Sequence, residues 1–275
     1  MEILKSRNIV VNDEQFCVNA LSDLNYYRLT AYMLPFKDSN QNTYSPITFE
    51  KIYHIYEFDR ELRSLLLNVL EEIEIFVRTK LAYYHAHHFG PIAYLDSANY
   101  NQRHCHDTFI KIFNKQVYQN RENDFVKHHR DSKDGKFPIW VAVELFSFGM
   151  LSKFYADLPP RHKKKIAKEH FDTGLEQLES WLLCMSFLRN RCAHYMRLYY
   201  YLFNKRPKNT NSQAFELGYS LFDYIHVIKH CYNDAYKWNG GFLASLDSLI
   251  KKYSQWIDLT HIGFPADWKT ELTKN

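Results

Sequence analysis

Six consecutive residues, Arg189-Asn190-Arg191-Cys192-Ala193-His194, bring together side chains suited to work on a phosphodiester. An imidazole titrates near neutral pH and moves a proton, a guanidinium binds phosphate, and an amide can hydrogen-bond to either. These parts fit cleavage of RNA by its own 2′-hydroxyl. A base takes the hydroxyl proton, the oxygen attacks the adjacent phosphorus, and guanidinium groups stabilise the charge that builds there. The route needs no metal and no cofactor, in keeping with the lack of a carboxylate cage in the sequence. One imidazole serves poorly where both a base and an acid are wanted. Two copies of the motif facing across a two-fold axis would supply both, so a homodimer with a shared site is expected.

The element that delivers this cluster is a helix expected to start near Leu175 and to run through the hexapeptide to about residue 203. Residues 181–188 are apolar on nearly every side apart from Ser186, the pattern of a helix buried all round. An abrupt switch to Arg-Asn-Arg must bring the charges to a cleft or interface, because unpaired buried charge is prohibitive. At about 100° per residue, Asn190, His194 and Arg197 would share one helix face, with Arg189 a step round. A bland reading stands beside this one: Glu71, Glu74 or Glu144 could pair with Arg189 and make the cluster structural.

The remaining chain reads as helical. A helix is expected over 13–36 from an Asp13 cap, followed by a polar loop over 37–47. From Phe49 to about His88, Ile55, Phe58, Leu62, Leu65, Leu66, Val69, Ile73, Phe76, Val77 and Leu81 recur at three- and four-residue steps, with Arg60, Arg63, Glu71, Glu74 and Arg78 opposite or beside the stripe. Glu74 and Arg78 are four apart and can pair. Gly90-Pro91 ends that helix, and 102–129 is expected to be a polar, basic helix. Residues 131–136 are a loop and the best candidate for an internal boundary, near 131–137. Pro138 opens a helix that Pro159-Pro160 stops; within it Glu144 sits among apolar residues and needs either solvent or a partner. Arg161, Lys163, Lys164, Lys165 and Lys168 make a charge-dense stretch, either a solvated face or a phosphate-tracking patch. A basic loop with Lys205 and Arg206 follows, then helices over about 214–236 and 242–256. No strand alternation and no repeat is visible, so the chain is expected to be all-α.

Composition agrees. Hydrophobic residues at 46% and charged residues at 24% suit a globular protein. The 21 Tyr and 20 Phe serve packing or base stacking equally well. A formal charge of +4 permits a nucleic-acid partner without requiring one. No apolar run reaches membrane-spanning length, and the N-terminus lacks an apolar signal core, so a cytoplasmic location is expected. The five cysteines are scattered and never in a CxxC pair, against a disulfide framework or a thiolate zinc site. The histidine-rich segments 85–88, 104–106 and 128–129 match none of the common metal-ligand spacings.

The hexapeptide resembles the Arg-x(4–6)-His motif of HEPN ribonucleases, including the Asn after Arg. LNYYRLTAYMLPF (24–36), YEFDRELRSLLLNVLEEIEIFVR (56–78), PIWVAVELFSFGMLSKFY (138–155), LRNRCAHYMRLY (188–199) and IGFPADWK (262–269) look like the Abi family of phage abortive-infection proteins, AbiD/AbiF type. The resemblance covers nearly the whole chain in the family's order. It implies a HEPN-like helical bundle with extra N- and C-terminal helices, a single domain over 1–275 with its motif in 175–203, and RNA cleavage in antiviral defence or growth arrest. It also implies Arg189 and His194 as the catalytic pair with Asn190 in support. Glu74, Arg78 and Glu144 are expected to support the site. A bound small non-coding RNA is a further implied partner, expected along 161–168 and 204–208, while Arg191 and Arg197 would add RNA contacts; neither DNA nor membrane is expected. The segment Asn25–Arg28 matches the family with no role assigned. Two rival readings use the same cleft: a non-catalytic RNA- or protein-binding module, and the partner of a nucleotidyltransferase.

Overall fold

The computed structural model describes residues 2–38, 43–210 and 216–274, and its architecture is all-α. After α1 (Glu2–Ser6), α2 (Glu14–Asp23) starts at Asp13, whose carboxylate accepts from the Phe16 amide at 2.9 Å. The single helix expected over 13–36 is two, because Asn25 caps α3 (Tyr26–Met33) by accepting from Tyr27 N–H, and Leu24 is extended. Among the described residues, strand is confined to β1 (Ile9–Val10) and β2 (Ile47–Thr48), paired in parallel. The helix α4 (Phe49–Phe89) ends at Gly90, whose φ of 104° only glycine tolerates easily.

The next segments are shorter than the sequence pattern suggests. Residues 102–129 give α5 (His106–Gln119) and α6 (Asp124–Ser132). The helix expected after Pro138 is α7 (Ile139–Ala142), a 3-10 turn and α8 (Phe148–Asp157), since Ser147 accepts from the Met150 amide and restarts the helix. Pro159-Pro160 then opens α9 (Pro160–Phe171), as expected for proline in a first turn. The helix α10 (Leu175–Ala193) stops ten residues short of the expected 203. After it come α11 (Leu221–Cys231), α12 (Ala235–Lys237), α13 (Ala244–Tyr253) and α14 (Trp268–Leu272). Part of the helix expected from 214 lies outside the described residues. No helix of the described residues is long and apolar enough to cross a membrane.

Two compact units emerge, dividing inside α4 between Val69 and Leu70 and inside α10 between Arg189 and Asn190. The first unit holds residues 1–69, 190–204 and 219–275. Its core joins Leu29, Tyr32, Phe58, Leu62 and Leu66 to Leu198, Tyr199, Ile225 and Trp238, all nearly inaccessible. The second unit holds 70–189 and 205–218, so the 131–137 stretch lies within it. Tyr94, Phe146, Phe154, Tyr155 and Trp181 form its core, and the Trp181 ring N–H donates to Lys208 O at 2.7 Å.

His85 is wholly buried in the second unit, its ring 4.9 Å from Phe89 and 5.4 Å from Phe154. Burial lowers its pKa to about 4, and His162 nearby adds to the effect. An unfolded chain takes up this proton near pH 6.5 while the folded one resists it, so stability is full above that pH and falls as the pH drops towards 4. Urea unfolding between pH 7.5 and 4 is expected to show a loss that His85→Phe reduces by up to about 3 kcal/mol; equal pH profiles for the two proteins would contradict the assignment.

Candidate active site

The end of α10 is closed by a specific pattern. Tyr195 N–H donates to Cys192 O at 3.1 Å and Met196 N–H to Arg191 O at 2.9 Å, while Tyr195 takes a left-handed φ of 57°. This is the Schellman arrangement, and it makes His194 the residue at the helix end. Its backbone N–H still reaches Asn190 O at 2.9 Å, but the chain then leaves the helix. Arg197 therefore does not share a helix face with Asn190 and His194, contrary to expectation. Nor is the helix buried all round. Leu183 and Phe187 are 39% and 36% exposed, at a spacing that leads on to Asn190 and His194, both exposed.

The chain beyond the motif is tied down by a carboxylate that sequence reading missed. Asp59 is fully buried and accepts from Tyr32 O–H at 2.6 Å, Arg63 at 2.5 Å, Leu198 N–H at 3.1 Å and Tyr199 N–H at 2.9 Å. Burial pushes its carboxyl up, against the opposing pull of Arg63 and the other donors. The available signal was an Asp and an Arg four apart, interleaved with Phe58, Leu62 and Leu66 on a helix. Its remote partners, two backbone amides, leave no mark in a sequence.

Three guanidiniums brace the same segment. Arg191 donates to Arg197 O at 2.5 Å and lies 3.3 Å over the Tyr201 ring. Arg197 donates to Ala31 O, and Arg28 to Tyr195 O at 3.1 Å. Asn25–Arg28 thereby acquires local roles: Asn25 caps α3, Tyr26 O–H accepts from Arg7 at 3.0 Å, and Arg28 holds the residue after His194. Cys192 is buried, which pushes its thiol up to about 12, so it is no thiolate nucleophile.

Arg189 belongs to the second unit, and its Nε lies 3.3 Å from Glu74 Oε2. Glu74 also accepts from Arg78 at 3.0 Å, the expected i,i+4 pair. Arg78 donates to Val143 O at 2.6 Å and Phe146 O at 3.0 Å, with Glu144 at 3.5 Å. Glu144 is exposed rather than buried among the apolar residues around it, and borders a cavity of about 520 Å3 with Tyr83, His87 and Trp140. Arg189 keeps a third of its side chain in solvent.

The basic stretch is mixed. Lys163 is buried and paired with Glu179 at 2.6 Å, whereas Arg161, Lys164, Lys165 and Lys168 are exposed. Arg161 donates to the His162 ring at 2.9 Å, Lys165 approaches the His88 ring at 3.5 Å, and Lys168 pairs with Asp172. Lys205 is exposed, and so is Arg206, which pairs with Glu216 at 2.6 Å. Of the histidine-rich segments, His104 bonds Asp157 at 2.8 Å and approaches His106 at 3.2 Å.

Compared with known proteins, residues 19–200 match a family model described as Abi-like protein. No curated protein and no solved structure matches the chain.

Removing the Asp59 carboxylate would leave Arg63 buried without its ionic partner and two amides without acceptors. Asp59→Ala is expected to cost about 3–5 kcal/mol in urea unfolding, with Asp59→Asn milder; a loss below 1 kcal/mol for the alanine variant would show that the cluster is dispensable.

Proposed function

The chain belongs to the Abi-like protein family, and from that premise we propose that it is a metal-independent HEPN endoribonuclease acting in abortive phage infection. The observation that carries this reading is the exposed His194 at the end of a helix, with exposed Asn190 one turn before it in the same unit; Arg189, five residues before His194 in the sequence, is part-exposed. Arg191 and Arg197 are occupied by backbone carbonyls, which leaves Arg189 as the motif guanidinium best suited to phosphate.

In this reading His194 moves protons, Arg189 binds the scissile phosphate and offsets its charge, and Asn190 orients the substrate or the ring. Glu74 positions Arg189, and a phosphate competes with that carboxylate for the same guanidinium. Leu183 and Phe187, one turn apart and both exposed, make a short apolar strip that suits a second copy of the chain. A homodimer then sets two His194 rings at one site, one as base and one as acid. The exposed cations Arg161, Lys164, Lys165, Lys168, Lys205 and Arg206 are the surface for substrate or for a bound non-coding RNA.

The Arg189–Glu74 ion pair favours one competing reading, a non-catalytic RNA- or protein-binding module such as the partner of a nucleotidyltransferase. Cleavage assays separate the two. Arg189→Ala and His194→Ala are each expected to slow cleavage of labelled single-stranded RNA about 10²–10⁴-fold, with circular dichroism and melting unchanged and wild-type cleavage insensitive to EDTA. Mixing wild type with an excess of His194→Ala is expected to lower the activity of the wild-type chains, because a mixed dimer holds one imidazole where the shared site uses two. Full activity of folded His194→Ala would falsify the assignment.

A further inference from the structure

We propose that Tyr195, braced by Arg28, is a stacking platform for an unpaired nucleobase beside the phosphodiester on which His194 acts; this rests on the reading of His194 given above. Tyr195 occupies the position after a helix end where a left-handed conformation is required and where glycine or asparagine is the residue at ease. A bulky ring there strains the backbone, and such strain persists only where something offsets it or where function requires it.

Tyr200 provides an internal contrast. It too is left-handed, at φ 61°, but its ring packs against Tyr199, His261 and Phe36 with centroids 4.5, 4.6 and 6.1 Å away. Tyr195 has no such ring packing. The residue is 68% exposed, and its ring meets no other aromatic ring among the described residues. Its neighbour is the exposed Arg28, whose guanidinium lies 5.9 Å from the ring centroid while donating to the Tyr195 carbonyl. The backbone of Tyr195 is fixed by Arg28 and by the helix-end hydrogen bonds, Arg28 lies over the ring, and the residue is otherwise largely open to solvent.

Unpaired RNA bases stack on tyrosine rings and guanidinium planes, whereas bases inside a duplex cannot reach them. Arg28 uses one nitrogen on the carbonyl and has other N–H groups for a nearby phosphate. Tyr27, the residue before it, is 82% exposed and offers a second ring. The occupant is therefore a single-stranded segment, and the platform selects unpaired RNA over duplex.

The decisive variant is Tyr195→Gly, which relieves the strain while removing the ring. The probe is a single-stranded oligoribonucleotide carrying 2-aminopurine, whose fluorescence falls on stacking, with His194→Ala as the non-cleaving background for binding. Tyr195→Gly is expected to melt at the same or a higher temperature than wild type, to weaken binding at least tenfold and to abolish the fluorescence loss; Tyr195→Trp is expected to retain both binding and quenching. In the cleavage assay KM should rise with little change in kcat. A lower melting temperature with unchanged binding would show that the ring serves the fold, and lost self-association with unchanged RNA binding would show that it faces a second copy. Either result overturns the platform. Quenching by a wild type that cleaves nothing would remove the nuclease reading alone, and cleavage with an unchanged KM in Tyr195→Gly would remove the platform alone.

Discussion

A single buried carboxylate governs how the chain leaves the motif. Asp59 has no access to solvent, and it collects Arg63, the Tyr32 hydroxyl and the amides of Leu198 and Tyr199. Hydrogen bonds to a charged group contribute about 1.5–3 kcal/mol each, so the segment after His194 is held far more firmly than loop residues usually are. That hold turns the chain out of α10 at Ala193. Arg28, Arg191 and Arg197 then spend their charge on the carbonyls of Tyr195, Arg197 and Ala31. The result is a division of labour: Arg191, Arg197 and the distant Arg28 build the support, while Asn190 and His194 face solvent.

Arg189 stands apart from those three. Its partner is Glu74, which it shares with Arg78, and Arg78 is in turn anchored on the carbonyls of Val143 and Phe146. The carboxylate is nearly buried, the guanidinium a third exposed. An anion reaching Arg189 from solvent meets a group already oriented but not sealed. Preorganisation of this kind aids a transition state more than a flexible side chain could, because no reorientation is required when charge develops.

Much of this was legible in the residues themselves. The long stripe from Phe49, the Asp13 cap and the Pro159-Pro160 stop were all local signals, and each is present. The i,i+4 pair of Glu74 and Arg78 was equally visible, as was the change of character at Arg189. The end of α10 was not. No glycine or proline marks it, since Tyr195 takes the left-handed turn itself, and the reason for the turn lies at Asp59, well over a hundred residues earlier. The break at Ser147 had a local cause, a serine hydroxyl taking the Met150 amide, hidden among apolar residues that continue a helical pattern. Local chemistry was readable; remote acceptors for backbone amides were not.

The chemistry assigned to Arg189, Asn190 and His194 leaves its signature in the ends of the product. Mass spectrometry of a short RNA cut by the purified protein tests it most directly. Attack by the 2′-hydroxyl predicts a 2′,3′-cyclic phosphate on one fragment and a 5′-hydroxyl on the other, with no cut where the scissile nucleotide carries a 2′-methoxy group. Fragments bearing a 3′-hydroxyl and a 5′-phosphate would mean that water was the nucleophile, and would contradict the account.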